Sequence, residues 1–206
     1  MKAGCTIIVF ARAPLAGRAK TRLAARIGAD AAARLQARLA RHALVTARRA
    51  ARGAVELHGT PGGRHALFRG WAARYRVRLR TQRGGDLGER MQRALAGALR
   101  TSRTAVLIGS DCPVLVPADL RRAARLLAAA CDVVVAPAQD GGYALIGARR
   151  MRAPLFRGIT WGGDSVCRDT AANARALGLR WRTLRTVWDV DRPEDLDRLP
   201  AVRLRR

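Results

Sequence analysis

Aromatic residues are scarce in this chain, at 4% of 206 positions. Its core must therefore be built from Ala, Leu and Val rather than from large rings. Histidine occurs three times (His42, His58, His65), without the spacing that metal ligation needs. The four cysteines (Cys5, Cys112, Cys131, Cys167) are far apart and form no CxxC pair. That excludes a zinc ribbon and a disulfide-dense scaffold, and reduced thiols in a cytoplasmic setting are expected. Cys112 has no evident base beside it and is read as a packing residue. No apolar run approaches the length of a membrane helix, so no membrane span is expected. At the N-terminus Lys2, the run Cys5–Ala11 and Ala11-Arg12-Ala13 imitate a signal peptide. The run is short and a charge sits in the would-be cleavage site, so the segment is read as a first strand.

Acidic residues are also few, 15 against 40 cations, for a net charge of +25. Such a balance ordinarily points to nucleic acid or another anionic surface. Lysine, however, is almost absent: Lys2 and Lys20 are the whole supply, and the remaining cations are Arg scattered along the chain, through to Arg203, Arg205 and Arg206. Arginine is the default surface cation here, and no basic patch with interleaved aromatics stands out. No specific nucleic-acid partner is expected. In such a chain an internal lysine is notable, and Lys20 is the only one.

The hydrophobic pattern alternates strands and helices. Cys5–Ala11, Thr104–Ile108 and Asp132–Ala136 are short β-branched or aliphatic runs, typical of buried parallel strands. Ala54–His58, Arg76–Thr81, Tyr143–Ile146 and Trp181–Val187 read as further strands. Helices are expected from an Asp30 cap to about Arg52, after the GTPGG loop through Trp71, from Asp86 to Leu99, from Pro117 to about Ala130, over Asp164–Leu177, and over Pro193–Leu199. This alternation predicts an α/β protein, a single domain over 1–206, with a mostly parallel sheet covered by helices on both faces. Ligands of such sheets bind beyond the carboxyl ends of the strands.

The residues that follow the strands are therefore the candidates. After the first strand comes Arg12-Ala-Pro14-Leu-Ala-Gly17-Arg-Ala-Lys20-Thr-Arg22, a loop cation near solvent at its exit, able to cradle phosphates with amides and charge. It is neither a P-loop, since Ala19 precedes Lys20, nor a dinucleotide GxGxxG turn. Gln82-Arg-Gly-Gly-Asp86-Leu-Gly-Glu89 offers Gln82 and Asp86 to a nucleotide. Asp111 follows the Thr104–Ile108 strand, Asp140 precedes two glycines, and Asp191 lies in Trp188-Asp189-Val-Asp191-Arg-Pro193. Each has a plainer use: a basic-rimmed loop, a capping loop, a turn before Pro113, a hairpin turn, a helix cap. Jointly, Asp111, Asp140 and Asp191 all follow strands and can converge on one Mg²⁺ that bridges phosphates held by the first loop.

FARAPLAGRAKTRL, QRGGDLGERM, IGSDCPVL, PAQDGGYALIG, LFRGITWGGDSV and DVDRPEDL occur in this order. The set resembles a bacterial family of GT-A-type glycosyltransferases, also called selenodomain-associated transferases, from about Thr6 to Leu199. The resemblance implies a GT-A, nucleotide-diphospho-sugar-transferase-like fold. It implies a nucleotide or nucleotide-sugar ligand, an unspecified small-molecule acceptor and Mg²⁺ or Mn²⁺. Lys20 and Arg22 would contact phosphates. Asp111 would bind metal or ribose-phosphate, with Asp191 as second metal ligand; Asp140 is the further catalytic candidate. The wider superfamily also holds nucleotidyltransferases, including guanylyltransferases. Where nucleotide-sugar enzymes usually show Asp-x-Asp, this chain has Ser110-Asp111-Cys112-Pro113. Glycosyl transfer and nucleotidyl transfer to a phosphorylated acceptor therefore both stand, and a non-catalytic basic nucleic-acid binder is the reading outside that class.

Overall fold

The computed structural model describes residues 3–62, 65–129, 131–201 and 204; Lys2, Gly63, Ala130, Arg203, Arg205 and Arg206 lie outside the described residues. Seven strands form one sheet in the order β3-β2-β1-β4-β6-β5-β7. They are β1 (Ala3–Arg12), β2 (Val55–Thr60), β3 (Arg78–Thr81), β4 (Ser102–Ile108), β5 (Val133–Pro137), β6 (Tyr143–Ala148) and β7 (Trp181–Thr183). All pairings are parallel except those of β6, which runs against both β4 and β5. The helices are α1 (Thr21–Ile27), α2 (Ala29–Ala50), α3 (Ala66–Tyr75), α4 (Leu87–Leu99), α5 (Pro117–Ala129) and α6 (Val166–Ala176), with 3₁₀ turns at Ala153–Phe156 and Pro193–Ala201.

Alternation along the central strands builds two cores. Ile7, Val9 and Ala11 of β1 and Val106 and Ile108 of β4 face α2, α3 and α5. Ile8, Phe10, Ala105 and Leu107 face α4 and α6 on the other side. A strand buried on both faces has to be apolar at successive positions, which is why these segments read as unbroken hydrophobic runs. A third, smaller cluster joins Leu23 of α1, Leu35 and Leu39 of α2, and Val190. It fastens the chain after β7 to the helix that follows the first loop.

Several boundaries differ from the sequence reading. Asp30 does not cap α2; Gly28 holds the cap position and Asp30 lies in the first turn, where its charge still favours the helix dipole. The short helix α1 carries no capping signal in the sequence: Lys20 holds its N-cap position and makes no side-chain cap bond. The strand expected over Trp181–Val187 is regular only at Trp181–Thr183; Val187 makes an isolated bridge to Ala138.

At the opposite edge of the sheet from the candidate residues, Asp132 is 2% exposed and fixes the start of β5. Its carboxylate accepts hydrogen bonds from the Arg180 amide (3.0 Å) and Nε (3.1 Å) and from Arg150 Nε (3.0 Å). Burial alone would raise its pKa, but these donors outweigh it and hold the group down at about 2. A depressed carboxyl pKa contributes stability above the unfolded value and loses it as pH falls through the folded one. Asp132→Asn is therefore expected to destabilise the fold by about 2 kcal/mol at pH 7. In urea unfolding the gap to the parent protein should close between about pH 4 and pH 2. A gap independent of pH would refute this role.

Candidate active site

The chain leaves β1 at Arg12 and turns through Pro14 and Gly17 to Lys20. Gly17 has φ 73°, and nothing lies within 4 Å of where a Cβ would sit, so its role is the left-handed turn itself. Lys20 also has a left-handed backbone (φ 51°, ψ 45°), uncommon for a lysine. That conformation turns its side chain inward. Nζ donates to the Val190 carbonyl at 2.6 Å and lies 3.0 Å from Asp111 Oδ1, and the side chain is 4% exposed. The expected loop cation near solvent is thus a buried tie between the first loop, the end of β4 and the segment after β7.

Asp111 follows β4 as expected and is held from several sides. Its main-chain carbonyl accepts from the Val190 amide (2.9 Å). Its Oδ1 accepts from Ser110 Oγ (3.1 Å), which in turn accepts from Gln36 Nε2 of α2 (3.1 Å). The carboxylate itself remains 44% exposed. Asp140 lies in the β5–β6 turn, where Oδ1 accepts from the Gly142 amide (2.9 Å) and Oδ2 has no donor among the described residues. The sequence reading allowed a hairpin at this point, and a hairpin it is. Because β6 is antiparallel, its first residue sits at the same sheet edge as the last residues of β1 and β4.

Asp111 and Asp140 line one crevice of about 250 Å³, and the third carboxylate there is Asp189. Its pKa is pushed up to about 6, first by burial and then by the charges of Asp140 and Asp111. Asp191, the expected partner of Asp111, instead pairs with Arg22 Nη1 (2.5 Å) and is not among the crevice-lining residues. Nor does Asp191 cap the closing 3₁₀ turn. Asp195, in the first turn of that element, reaches back instead, accepting from the amides of Asp191 (3.0 Å) and Arg192 (2.7 Å). Both aspartates of Trp188-Asp189-Val190-Asp191 follow the last strand, so strand-end logic alone does not choose between them. Burial and neighbouring charge make the choice.

The remaining candidates divide. Arg12 is exposed, with Nη1 donating to the Arg18 carbonyl (3.3 Å), and Pro14 is half-buried in the same loop. Arg22 is 67% exposed beside Asp191. Gln82 spends its amide NH₂ on the carbonyls of His58 (2.9 Å) and Ala11 (3.4 Å), bracing the ends of β1 and β2. That leaves its oxygen, not its donors, for a ligand. Asp86 is the N-cap of α4, accepting from the Glu89 amide (2.7 Å) while Glu89 accepts from the Gly85 amide (3.1 Å). Capping therefore engages Oδ1 of Asp86. Cys112 is buried, and its thiol is pushed up to about 12, chiefly by burial, which fits packing and excludes a ready nucleophile.

Two larger cavities lie away from this edge. One of about 680 Å³ opens near the start of β1 and β4, and one of about 600 Å³ lies between α4 and the β2–β3 face, lined by Arg80, Arg83, Arg90, Arg93 and Arg100. Neither contains the strand-end carboxylates. No helix among the described residues is long and apolar enough to cross a membrane.

Residues 43–163 match a family model described as "Uncharacterized protein conserved in bacteria (DUF2064)". The chain belongs to this family. No curated protein matches it. Among solved structures it is similar to a "putative nucleotide-diphospho-sugar transferase" from Desulfovibrio desulfuricans G20. That match has 31% identity and a TM-score of 0.83, covering 92% of this chain and 83% of the other. At 11% identity it shares its fold with a CMP:2-keto-3-deoxy-manno-octonic acid synthetase complexed with CTP (TM-score 0.60, covering 97% and 98%). At 14% it shares it with glucosyl-3-phosphoglycerate synthase from Mycobacterium tuberculosis in complex with Mn²⁺, UDP and glucosyl-3-phosphoglycerate (TM-score 0.56, covering 97% and 75%). The fold is thus that of the nucleotide-diphospho-sugar transferases, as the motif set implied.

Proposed function

We infer that this DUF2064 protein is a nucleotide-dependent transferase that passes a sugar from a nucleotide-sugar donor to a small acceptor, with Mg²⁺ or Mn²⁺. The observation that carries this reading is the meeting of Asp111, Asp140 and Asp189 in one crevice, beside the loop that ends in Lys20. Three carboxylates with a single buried lysine in contact form a hard, oxygen-rich, electronegative site, the donor chemistry that Mg²⁺ and Mn²⁺ prefer. Among the described residues no three His, Cys, Asp or Glu side chains are grouped closely enough to hold a metal alone. Such an ion would therefore draw further oxygens from diphosphate and water, as Mg²⁺ commonly does. Its chemistry here would be to neutralise charge on the departing diphosphate.

The chain's own groups do the rest. Asp111, oriented through Ser110 and Gln36, and Asp189 would hold the ion. The amides of the Pro14–Lys20 loop and the Arg12 and Arg22 guanidiniums would receive the phosphates. Asp140 keeps Oδ2 free to take a proton from an acceptor hydroxyl. The similarity to a nucleotide-diphospho-sugar transferase of 31% identity supports the donor class. One observation favours nucleotidyl transfer as a second reading: Ser110 and Cys112-Pro113 flank a lone Asp111 in place of an Asp-x-Asp pair.

The test is a thermal-shift panel of nucleoside di- and triphosphates and nucleotide sugars, each with and without Mn²⁺, followed by product analysis on the best ligand. A metal-dependent rise in Tm is expected for at least one nucleotide. Nucleoside diphosphate released from a nucleotide sugar marks glycosyl transfer, and pyrophosphate from a triphosphate marks nucleotidyl transfer. If no nucleotide raises Tm in a metal-dependent way, both readings fall.

A further inference from the structure

The crevice that holds Asp111, Asp140 and Asp189 has a second wall, made by the start of α4 and the LFRGITWGGDSV segment. Leu87 and Met91 of α4 and Trp161 of that segment line it. Leu87 is 43% exposed, one of the few large apolar side chains left in solvent among the described residues. Trp161 is set rigidly. Its ring packs on Gly88, where an added Cβ would lie 2.5 Å from Trp161 Cζ2, and its centroid is 6.1 Å from that of Phe156. A large aromatic fixed on one side and open to a crevice on the other presents a flat apolar face to whatever enters.

The charge of this wall is as informative as its shape. The chain carries 40 cations in 206 residues, yet none of the residues lining the crevice is Arg or Lys. Lys20 reaches its edge but is engaged by Asp111 and the Val190 carbonyl. The arginines are plentiful elsewhere, five of them around the cavity between α4 and β2–β3. A phosphorylated or carboxylated acceptor at this wall would need cations of its own, beyond the ion that serves the donor's diphosphate, because an anion beside carboxylates is repelled unless it is paired.

We propose that the Leu87–Met91–Trp161 wall is the acceptor subsite and that it takes an uncharged, hydroxyl-bearing ring compound, stacked on Trp161 with its hydroxyl toward Asp140. This rests on the transferase reading of the same crevice. Its volume of about 250 Å³ suits a small compound of one or two rings rather than a polymer. In the transfer, the acceptor oxygen forms the new bond to the anomeric carbon. The bond from that carbon to the donor's diphosphate oxygen breaks, its electron pair leaving on the nucleoside diphosphate, and the hydroxyl proton passes to Asp140 Oδ2. Trp161 and Leu87 set which acceptor fits; the donor's phosphates lie on the Lys20 side and do not touch them.

The probes are phenyl β-D-glucopyranoside and methyl β-D-glucopyranoside as neutral rings, and glucose 6-phosphate as the anionic counterpart. Binding to the full chain with Mg²⁺ is followed by saturation-transfer difference NMR, with the nucleotide-induced shift in Tm measured in parallel. The phenyl glucoside is expected to bind at least roughly tenfold more tightly than glucose 6-phosphate. Trp161→Ala should weaken it by roughly tenfold and Trp161→Phe by less, neither changing the nucleotide-induced shift. Leu87→Arg, at an exposed position that tolerates a cation, should move the preference toward glucose 6-phosphate and keeps the test decisive if Trp161→Ala fails to fold. Tighter binding of glucose 6-phosphate by the parent protein, no binding of either glucoside, or glucoside affinity unchanged in Trp161→Phe and Leu87→Arg would overturn the assignment. If the parent protein shows a metal-dependent nucleotide shift while the glucosides fail, this subsite is wrong and the transferase reading survives. If that shift is also missing, the underlying reading has failed.

Discussion

Asp111→Asn is expected to weaken Mn²⁺-dependent nucleotide binding by roughly 100-fold, about 2.7 kcal/mol, while the fold holds. The substitution keeps the shape of the side chain. The bond from the Val190 amide goes to the Asp111 main-chain carbonyl and is untouched. What disappears is one negative charge from a cluster of three, on the carboxylate that Ser110 and Gln36 orient and that would hold the proposed ion. Two effects then oppose each other. Loss of a carboxylate ligand lowers affinity for the ion and for the phosphates the ion would bridge. Release of Lys20 from its ion pair leaves a buried ammonium in search of an anion, which favours phosphate. The first effect dominates with metal and the second without it. Calorimetry should therefore show a large loss in the presence of Mn²⁺ and unchanged or slightly stronger binding in its absence. Equal losses under both conditions would mean that Asp111 acts on the nucleotide without a metal. Asp189→Asn should share the metal-dependent loss. Asp191→Asn should cost far less, because its partner Arg22 is 67% exposed and such surface pairs contribute little.

The contrast between Asp189 and Asp191 shows where the sequence stops being legible. The order of strands and helices could be read because each central strand is buried on both faces, and such burial writes itself as an apolar run. The edge at which ligands meet follows from that order, so Asp111 and Asp140 could be named from their positions. Which aspartate of Asp189-Val190-Asp191 faces the crevice depends on the contacts of Val190 with Asp111 and Lys20, the latter 170 positions away, and on which carboxylate Arg22 claims. Neither is a local property. Lys20 stood out by rarity alone in an arginine-rich chain. Its burial did not, because it depends on a left-handed backbone at a non-glycine residue, which no pattern announces. Gln82 and Asp86 are ligand candidates by type and place, and the structure adds what each does for the fold: Gln82 braces β1 and β2, and Asp86 caps α4. The apolar wall at Trp161 went unread for a related reason. Its segment was visible as a motif, but its meeting with Gly88 of α4 joins parts of the chain about 70 residues apart.

The largest structural effect is expected at Gly141. Its backbone has φ 88°, a region that L side chains rarely adopt, and an added Cβ would lie 1.9 Å from the Asp164 carbonyl oxygen. That oxygen belongs to main chain rather than to the movable end of a side chain, so the two segments must separate. The separation is resisted, because the Cys167 amide donates to the Gly141 carbonyl at 2.9 Å and ties the turn to the start of α6. Backbone strain and overpacking together place the cost of Gly141→Ala at about 3 kcal/mol. For a chain of this size that is a fall in Tm of roughly 6–12 °C. Two neighbours calibrate the result. Gly142→Ala meets only the Asp140 carboxylate, at 3.2 Å, which can swing aside; Gly17→Ala meets nothing within 4 Å and bears only the cost of its positive φ. Gly142→Ala should lose about 1 kcal/mol or less, and Gly17→Ala about 1–2 kcal/mol. Gly141 joins the turn that carries Asp140 to the segment that carries Trp161, so its replacement should also splay the crevice. Binding of the phenyl glucoside is then expected to fall in Gly141→Ala at temperatures where the variant is fully folded, while Gly17→Ala retains it. A Gly141→Ala protein that melts with the parent would show that the turn and the Trp161 segment are not in the close contact on which the acceptor wall depends.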